Sequence, residues 1–398
     1  MELRSGDPYF LLKNGLYKDF DILQSDHTTD VLVLGGGISG ALTAYQLVKN
    51  GVSCTVVDKR KTGLGSTSAS TSLLQYEIDV PLHQLSKQIG KENACKAYMF
   101  CSESIDMLFE ISGEIGFKEF EYCNSVYFSH TAGKNTFLKK EFESRREAGF
   151  AVELLEEEEI KSRYRLRSSA AILSKKAAKM DVYLFTYLLH RYNLSKGSHL
   201  FENTCIEKIT EQKDGVELLT DKGHRIKAKK IVYASGYEVM EQINKSIVDL
   251  KSTYAIVTER IRGLPEFFSE TLFWNTSDPY LYVREDEGRL IIGGRDDKTL
   301  NTPKSILLLE KKSTELLTDF EKVFPEIKVR SQFAWSGTFG STKDGLPYIG
   351  TYSKKPNSYF ALGFGGNGIT FSALAADLIA KSIKGNANCV PEMFRFNR

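Results

Sequence analysis

Several things are scarce in this chain. It has 9 prolines and 2 tryptophans in 398 residues, and only 6 cysteines: Cys54, Cys95, Cys101, Cys123, Cys205 and Cys389. None forms a CxxC pair, and six are too few to staple a chain this long, so free thiols are expected. An excess of one charge is also missing. Lys+Arg 53 against Asp+Glu 51 leaves a net charge of +2, which gives no general field for nucleic acid. The short basic run at 227–230 (KAKK) is expected to be a solvated turn. The first fifteen residues contain no apolar stretch of the secretory kind. Between Asn357 and Ala380 there is one charge, Asp377, but the glycines at 363–368 interrupt the run, so no membrane span is expected. A cytoplasmic protein is the expectation. No Ser-His-Asp set, HExxH or metal-spaced group is visible among the 6 histidines, and no metal is expected.

What remains is the composition of an ordinary globular enzyme, 41% hydrophobic and 26% charged, too long for one typical core. Residues 30–58 read as strand, turn, helix and strand. DVLVL (30–34) is β-branched and buried, 35–40 is the turn, 41–50 the helix, and CTVVD (54–58) the second strand. Helices are expected over 91–115, 180–194 (capped by Asp181) and 370–382, with a solvated first helical turn at 156–159. Strands are expected at 204–210, 215–219, 230–234, 252–260, 280–284, 290–293 and 358–362. The two βα units at opposite ends imply a nucleotide domain assembled from distant segments.

The first turn, Gly35-Gly36-Gly37-Ile38-Ser39-Gly40, carries the dinucleotide spacing in full context. It follows a strand, opens a helix, and has an acid, Asp58, at the end of the next strand. Gly35 permits the tight turn, Gly37 lets backbone approach a pyrophosphate, and Gly40 lets helix pack on strand. The helix start faces phosphate charge, and Asp58 can accept ribose hydroxyls. Lys59, Arg60 and Lys61 could meet a 2′-phosphate, but the Asp58 carboxylate argues against one. A second turn, Gly363-Phe364-Gly365-Gly366-Asn367-Gly368, has no acid-bearing strand after it. Its helix start is therefore expected to face a group that becomes negative, such as the N1–C2=O edge of a reduced flavin.

Together these blocks resemble the FAD-dependent oxidoreductases of the D-amino-acid-oxidase/glycine-oxidase (DAO) family. The resemblance runs over essentially the whole chain. Its blocks are GGGISG with Asp58, GSTSAS at 65–70, Ala234-Ser235-Gly236, and Gly337…Asp344-Gly-Leu-Pro347-Tyr-Ile-Gly350 followed by GFGGNGIT. It implies an α/β fold: a Rossmann-like FAD domain (30–90, 176–245, 333–398) interleaved with an α+β substrate domain on an antiparallel-rich sheet (91–175, 246–332). Residues 1–29 form an N-terminal segment. It further implies that Gly35, Gly37, Ile38, Ser39, Gly40, Asp58, Lys59, Ser66, Thr67, Ser68, Ile206, Ala234 and Gly236 hold the dinucleotide. Gly366, Asn367, Gly368 and Ile369 would meet the isoalloxazine.

Two departures from the family pattern matter. The stretch Trp335–Gly340 lacks the arginine that often binds an α-carboxylate, and no cysteine near 337 could attach the flavin, so FAD is expected to be non-covalent. Strand alternation puts Tyr280, Tyr282 and Arg284 on one face, where they and Phe339 are candidates for the substrate pocket. The same pattern also suits tyrosines that plug a sheet with Arg284 in solvent. The expected chemistry is hydride transfer from the carbon beside an amine or amino-acid nitrogen to flavin N5, with oxygen, a quinone or an electron carrier as final acceptor. Alternatives are an FAD enzyme acting on a 2-hydroxy acid or polyol, an NAD(P)-dependent dehydrogenase, and a non-catalytic flavoprotein.

Overall fold

A strand as apolar as DVLVL is stable only in a sheet covered on both faces. The structure, a computed structural model describing residues 3–129, 132–243, 247–297, 306–386 and 389–398, places it in His27–Leu34 at the middle of a parallel array. Lys355–Leu362, Arg225–Tyr233, His27–Leu34, Cys54–Val57 and His199–Phe201 lie side by side in that order. Tyr348–Tyr352 adds an antiparallel edge, and Ile206–Gln212 and Gly215–Thr220 form a meander running into Arg225–Tyr233. The basic run 227–230, expected as a turn, lies within that last strand. Lys227 and Lys229 are exposed while Ile226 and Ala228 are buried, so alternation outweighs composition.

Helix Ile38–Lys49 packs against Val182–Ser195 and Gly368–Ile383 over the parallel sheet, burying Ala41, Leu42, Phe185, Phe371 and Leu374 in one core. Asp181 caps Val182–Ser195 by accepting the Tyr183 and Leu184 amides at 3.0 Å. The low-charge stretch near the C-terminus divides into the strand Lys355–Leu362 and the helix Gly368–Ile383. Among the described residues no helix is long and apolar enough to cross a membrane. All six cysteines are free.

The second sheet is mixed and mostly antiparallel. Its order is Arg4–Gly6, Ser331–Ser341, Asp249–Thr258, Arg289–Asp297, Leu281–Asp286, Thr271–Asn275, Glu121–Ser129, Ala170–Lys179 and Leu73–Gln75. Val152–Glu156 pairs with Ala170–Lys179, and Thr271–Asn275 runs parallel to Glu121–Ser129. Two of these strands, Leu73–Gln75 and the N-terminal Arg4–Gly6, come from outside the segments expected to build this sheet, and Ser331–Ser341 and Ala170–Lys179 run past the ends of those segments.

Arg284 requires a correction. It is neither solvated nor a cation of the pocket. It is 1% exposed, and its Nη1 donates to the carbonyls of Thr71, Ser72 and Met180 at 2.9–3.2 Å. Nη2 pairs with Asp286 at 2.7 Å. A guanidinium has five donors in a fixed fork, and here it satisfies three carbonyls that would otherwise be buried unpaired. Arg284→Ala should therefore lower stability by about 3–5 kcal/mol, as for removal of one partner from a buried pair. Chemical denaturation measures this, and a loss below about 1 kcal/mol contradicts the joint.

Candidate active site

A cavity of about 790 Å³ is lined by both sheets. At one end it is built by the first glycine turn. A Cβ on residue 40 would overlap the Gly35 carbonyl oxygen, and Gly35 itself has φ +119°, so this close turn is open only to glycine at both positions. Helix Ile38–Lys49 begins here, with its positive end toward the cavity.

Asp58 sits directly beneath. Its Oδ2 accepts the Gly36 amide at 2.7 Å and its Oδ1 the Arg60 amide at 2.8 Å. Burial raises this carboxyl, and those two amides oppose the shift. Each oxygen keeps a second lone pair for a ligand hydroxyl. The neighbouring cations are already engaged, since Lys59 and Arg60 both pair with Glu238, at 3.0 and 2.7 Å. Burial disfavours the charged Glu238, yet hydrogen bonds from Arg60 and Lys59 prevail and hold it at about 2. That arrangement leaves little positive charge for a 2′-phosphate.

The short helix Ser66–Ala69 supplies hydroxyls to the same wall. Thr67 Oγ1 accepts the Ile38 amide at 3.0 Å. Ser66 Oγ is buried without a hydrogen-bond partner, as a group awaiting a ligand oxygen would be. The far end is formed by the second glycine turn. Asn367 stands at the cap position of Gly368–Ile383 but does not cap it. Its amide donates instead to the carbonyls of Gln75 and Glu77, at 3.0 and 2.9 Å. The Gly366 amide donates to Asp79 Oδ2 at 2.9 Å.

Of the expected residues, Gly35, Gly37, Ile38, Ser39, Asp58, Lys59, Ser66, Thr67, Ile206, Ala234 and Gly236 line the cavity on the Asp58 side. Gly366, Asn367, Gly368, Ile369, Tyr280, Tyr282 and Phe339 line it elsewhere. Three do not line it. Gly40 packs inside the turn, Arg284 lies in the joint above, and Ser68 is turned inward with its hydroxyl on Gly65 O at 3.0 Å. Tyr282 lies across Gly293, where any side chain would collide with the phenol ring. Burial raises both tyrosine phenols, Tyr282 to about 12, so both remain proton donors.

Sequence reasoning passed over Asp79, Tyr127, Trp274 and Glu238, all of which line the cavity, and Glu77 behind them. It also passed over His190, whose Nε2–H donates to the Gly36 carbonyl from below at 3.1 Å. Only Glu238, two residues past Gly236, had a nearby motif to point to it.

Comparison with known proteins settles the family. Residues 30–382 match the family described as FAD dependent oxidoreductase (DAO). The chain belongs to that family. This DAO-family enzyme is therefore an FAD-dependent oxidoreductase of the amino-acid and amine oxidase type. It is 25% identical over 374 residues to glycine oxidase of Geobacillus kaustophilus, covering 90% of this chain and 93% of that one. The crystal structure of that oxidase superposes with a TM-score of 0.77 at 22% identity, over 94% and 99% of the two chains. L-proline dehydrogenase from P. horikoshii gives 0.78 at 22% identity, over 93% and 97%. Gamma-glutamylputrescine oxidoreductase of Escherichia coli K12 is 24% identical over 414 residues, or 95% of this chain and 89% of that one.

His190 yields a pH prediction. Burial lowers its imidazole to about 4, with the Gly36 hydrogen bond opposing. As pH falls, the unfolded chain takes up this proton first, so stability is full above the ordinary histidine value of about 6.5 and declines toward the folded-state value. His190→Gln should remove about one proton from the uptake on unfolding in that window. Unfolding free energies measured against pH check this, and an unchanged slope contradicts it.

Proposed function

We propose that this enzyme oxidises the C–N bond of a small amine that carries no α-carboxylate, using FAD held non-covalently by the residues lining the Asp58 and Gly366 ends. The partner-free Ser66 hydroxyl, the two helix starts that no capping side chain closes, and the paired Lys59 and Arg60 fit a dinucleotide without a 2′-phosphate. Bound FAD supplies the two-electron acceptor for a hydride equivalent. We take segments 30–90, 176–245 and 333–398 as the FAD-binding part, with Leu73–Gln75 and Ser331–Ser341 bridging to the mixed sheet.

The observation that carries the substrate reading is the charge of the wall. Asp79 and Asp278 line the cavity, with Glu77 behind them, its side chain 0% exposed. The described cations on its lining are Lys59, Arg60 and Lys134, of which the first two pair with Glu238, and Lys134 is exposed. An α-carboxylate buried there would face carboxylates with no guanidinium to meet it, a penalty of several kcal/mol. An ammonium would be welcomed by the acids, whereas the Tyr127 ring is already engaged, stacked on Trp274 at 3.8 Å and with the Arg145 guanidinium 5.6 Å from its centre. Among the relatives, one name specifies a putrescine derivative and another glycine, and the acidic wall favours the amine. Of the cysteines only Cys205 lines the cavity, beside Ile206, which supports non-covalent flavin.

Anaerobic mixing of the holoenzyme with benzylamine, 1,4-diaminobutane, glycine, D- and L-alanine, proline and lactate tests the reading. At least one simple amine should bleach the flavin, at a rate at least about tenfold above any α-amino acid. Fast bleaching by lactate, or by amino acids alone, overturns it. Acid precipitation should leave FAD in the supernatant, and flavin retained in the pellet overturns the non-covalent part.

A further inference from the structure

The glycine turn that opens helix Ile38–Lys49 is flanked on both sides. Strand His27–Leu34 lies between Arg225–Tyr233 and Cys54–Val57, so the segments leaving those two neighbours stand on opposite sides of Gly35. The Ala234 amide donates to the Leu34 carbonyl at 2.9 Å on one side. The Gly35 amide donates to the Val57 carbonyl at 2.8 Å on the other. Past these bonds the two flanks are joined again, by charge. Glu238 follows one flank, and Lys59 and Arg60 follow the other. Arg60 grips Glu238 with both ends of its fork, Nη2 on Oε1 at 2.7 Å and Nη1 on Oε2 at 3.1 Å. Lys59 Nζ reaches Oε1 at 3.0 Å. The three side chains therefore span the end of the strand that carries the turn.

The span lies at the rim of the cavity. All three residues line it, and side-chain exposure rises outward, from 10% for Glu238 to 30% for Arg60 and 41% for Lys59. The backbones on both sides are fixed. The Arg60 amide is bonded to Asp58 Oδ1 at 2.8 Å, and its carbonyl accepts the Asn203 amide at 3.2 Å. On the other flank Val239 is buried in the core that holds Leu32 and Val57, and the Tyr237 ring packs over Gly340. Glu238 is thus anchored through its neighbours, and its side chain is the part that can let go. A bidentate arginine–carboxylate pair held in this way belongs to the stronger class of ion pairs.

We propose that this ion pair is a clip over the adenosine end of the FAD site: it parts for the dinucleotide to enter or leave, and so sets how slowly FAD exchanges. This rests on the placement of FAD at Asp58 given above. A clip that re-forms once the dinucleotide has passed raises the barrier in both directions. It slows entry and exit alike and leaves affinity nearly unchanged. Charge alone would act differently. Removing the Glu238 carboxylate would unmask two cations that attract a diphosphate, whereas removing the Arg60 guanidinium would take one such cation away. Electrostatics therefore predicts opposite effects of the two substitutions, and a clip predicts the same effect from both.

The test measures FAD exchange in wild type, Glu238→Gln, Arg60→Gln and the double variant. Chase of radiolabelled FAD from the holoenzyme by excess unlabelled FAD gives release. Quenching of FAD fluorescence on mixing with deflavinated protein gives uptake. Both single variants should release FAD about 10- to 100-fold faster, the weight of one charge-assisted hydrogen-bonded pair. Both should also take it up faster by a similar factor. The double variant should exceed the faster single one by less than about twofold, because the two residues form one contact. Slower release from Glu238→Gln, opposite effects of the two single variants, or effects that multiply in the double variant overturn the clip. Faster release with unchanged or slower uptake marks a damaged site and also overturns it. If Glu238→Gln does not fold, Glu238→Asp serves, since the shorter acid cannot hold both ends of the fork; exchange at the wild-type rate in that variant overturns the proposal. Asp58→Asn keeps the two readings apart. If it quickens release while the clip variants match wild type, the clip alone fails. If it matches wild type, or the protein takes up no FAD, the placement at Asp58 fails and the clip with it.

Discussion

The Gly35 carbonyl occupies the space that a side chain on residue 40 would need. This single close approach lets helix Ile38–Lys49 start against the end of strand His27–Leu34, and the rest of the cofactor end depends on it. The Gly36 amide then meets Asp58, the Ile38 amide meets Thr67, and the Gly36 carbonyl meets His190 from the helix behind. Asn193, one turn along that helix, reaches the Ala41 carbonyl at 2.9 Å. The turn is held by polar bonds from three separate parts of the chain, and Asp58 and Thr67 arrive where Gly36 and Gly37 have left room.

A second constraint is that the two sheets must share one cavity without closing it. Side chains satisfying the other half's backbone do this. Asn367 bonds Gln75 and Glu77, Trp335 Nε1 bonds the Ala69 carbonyl at 2.8 Å, and Arg284 gathers Thr71, Ser72 and Met180. Residues 69–79 are therefore held from both sides, and the same segment carries the acids of the wall. The groups that position the substrate end are thus also those that join the halves, which is why the fold and the chemistry are hard to separate here.

Much of the cofactor end was legible in the sequence because it depends on local rules. The glycine turn, the acid ending the second strand and the Asp181 cap each need only a few consecutive residues. The mixed sheet was much less legible. Ala170–Lys179 is rich in alanine and lysine, poor strand formers, and is a strand because Val152–Glu156 and Glu121–Ser129 pair with its two edges. The basic run at 227–230 fails as a turn for the same reason, being paired with Val216 and Glu217 on one side and with Thr28, Thr29 and Val31 on the other. Alternation from Tyr280 gave Arg284 a face but not what lies above it. Glu77 had no local signal, since its meaning comes from Arg145, 68 residues away.

The central claim is that this family scaffold presents an acidic wall whose lining arginine, Arg60, is already paired with Glu238, and so takes an amine rather than a carboxylate. Titration of the oxidised holoenzyme with benzylamine and with benzoate, followed by the visible flavin spectrum under anaerobic conditions and before any reduction, tests it most directly. The account predicts that benzylamine perturbs the flavin bands saturably, more weakly once pH passes the amine's pKa and the ammonium is lost, and that benzoate at the same concentrations does not. Saturable perturbation by benzoate with none by benzylamine would contradict it.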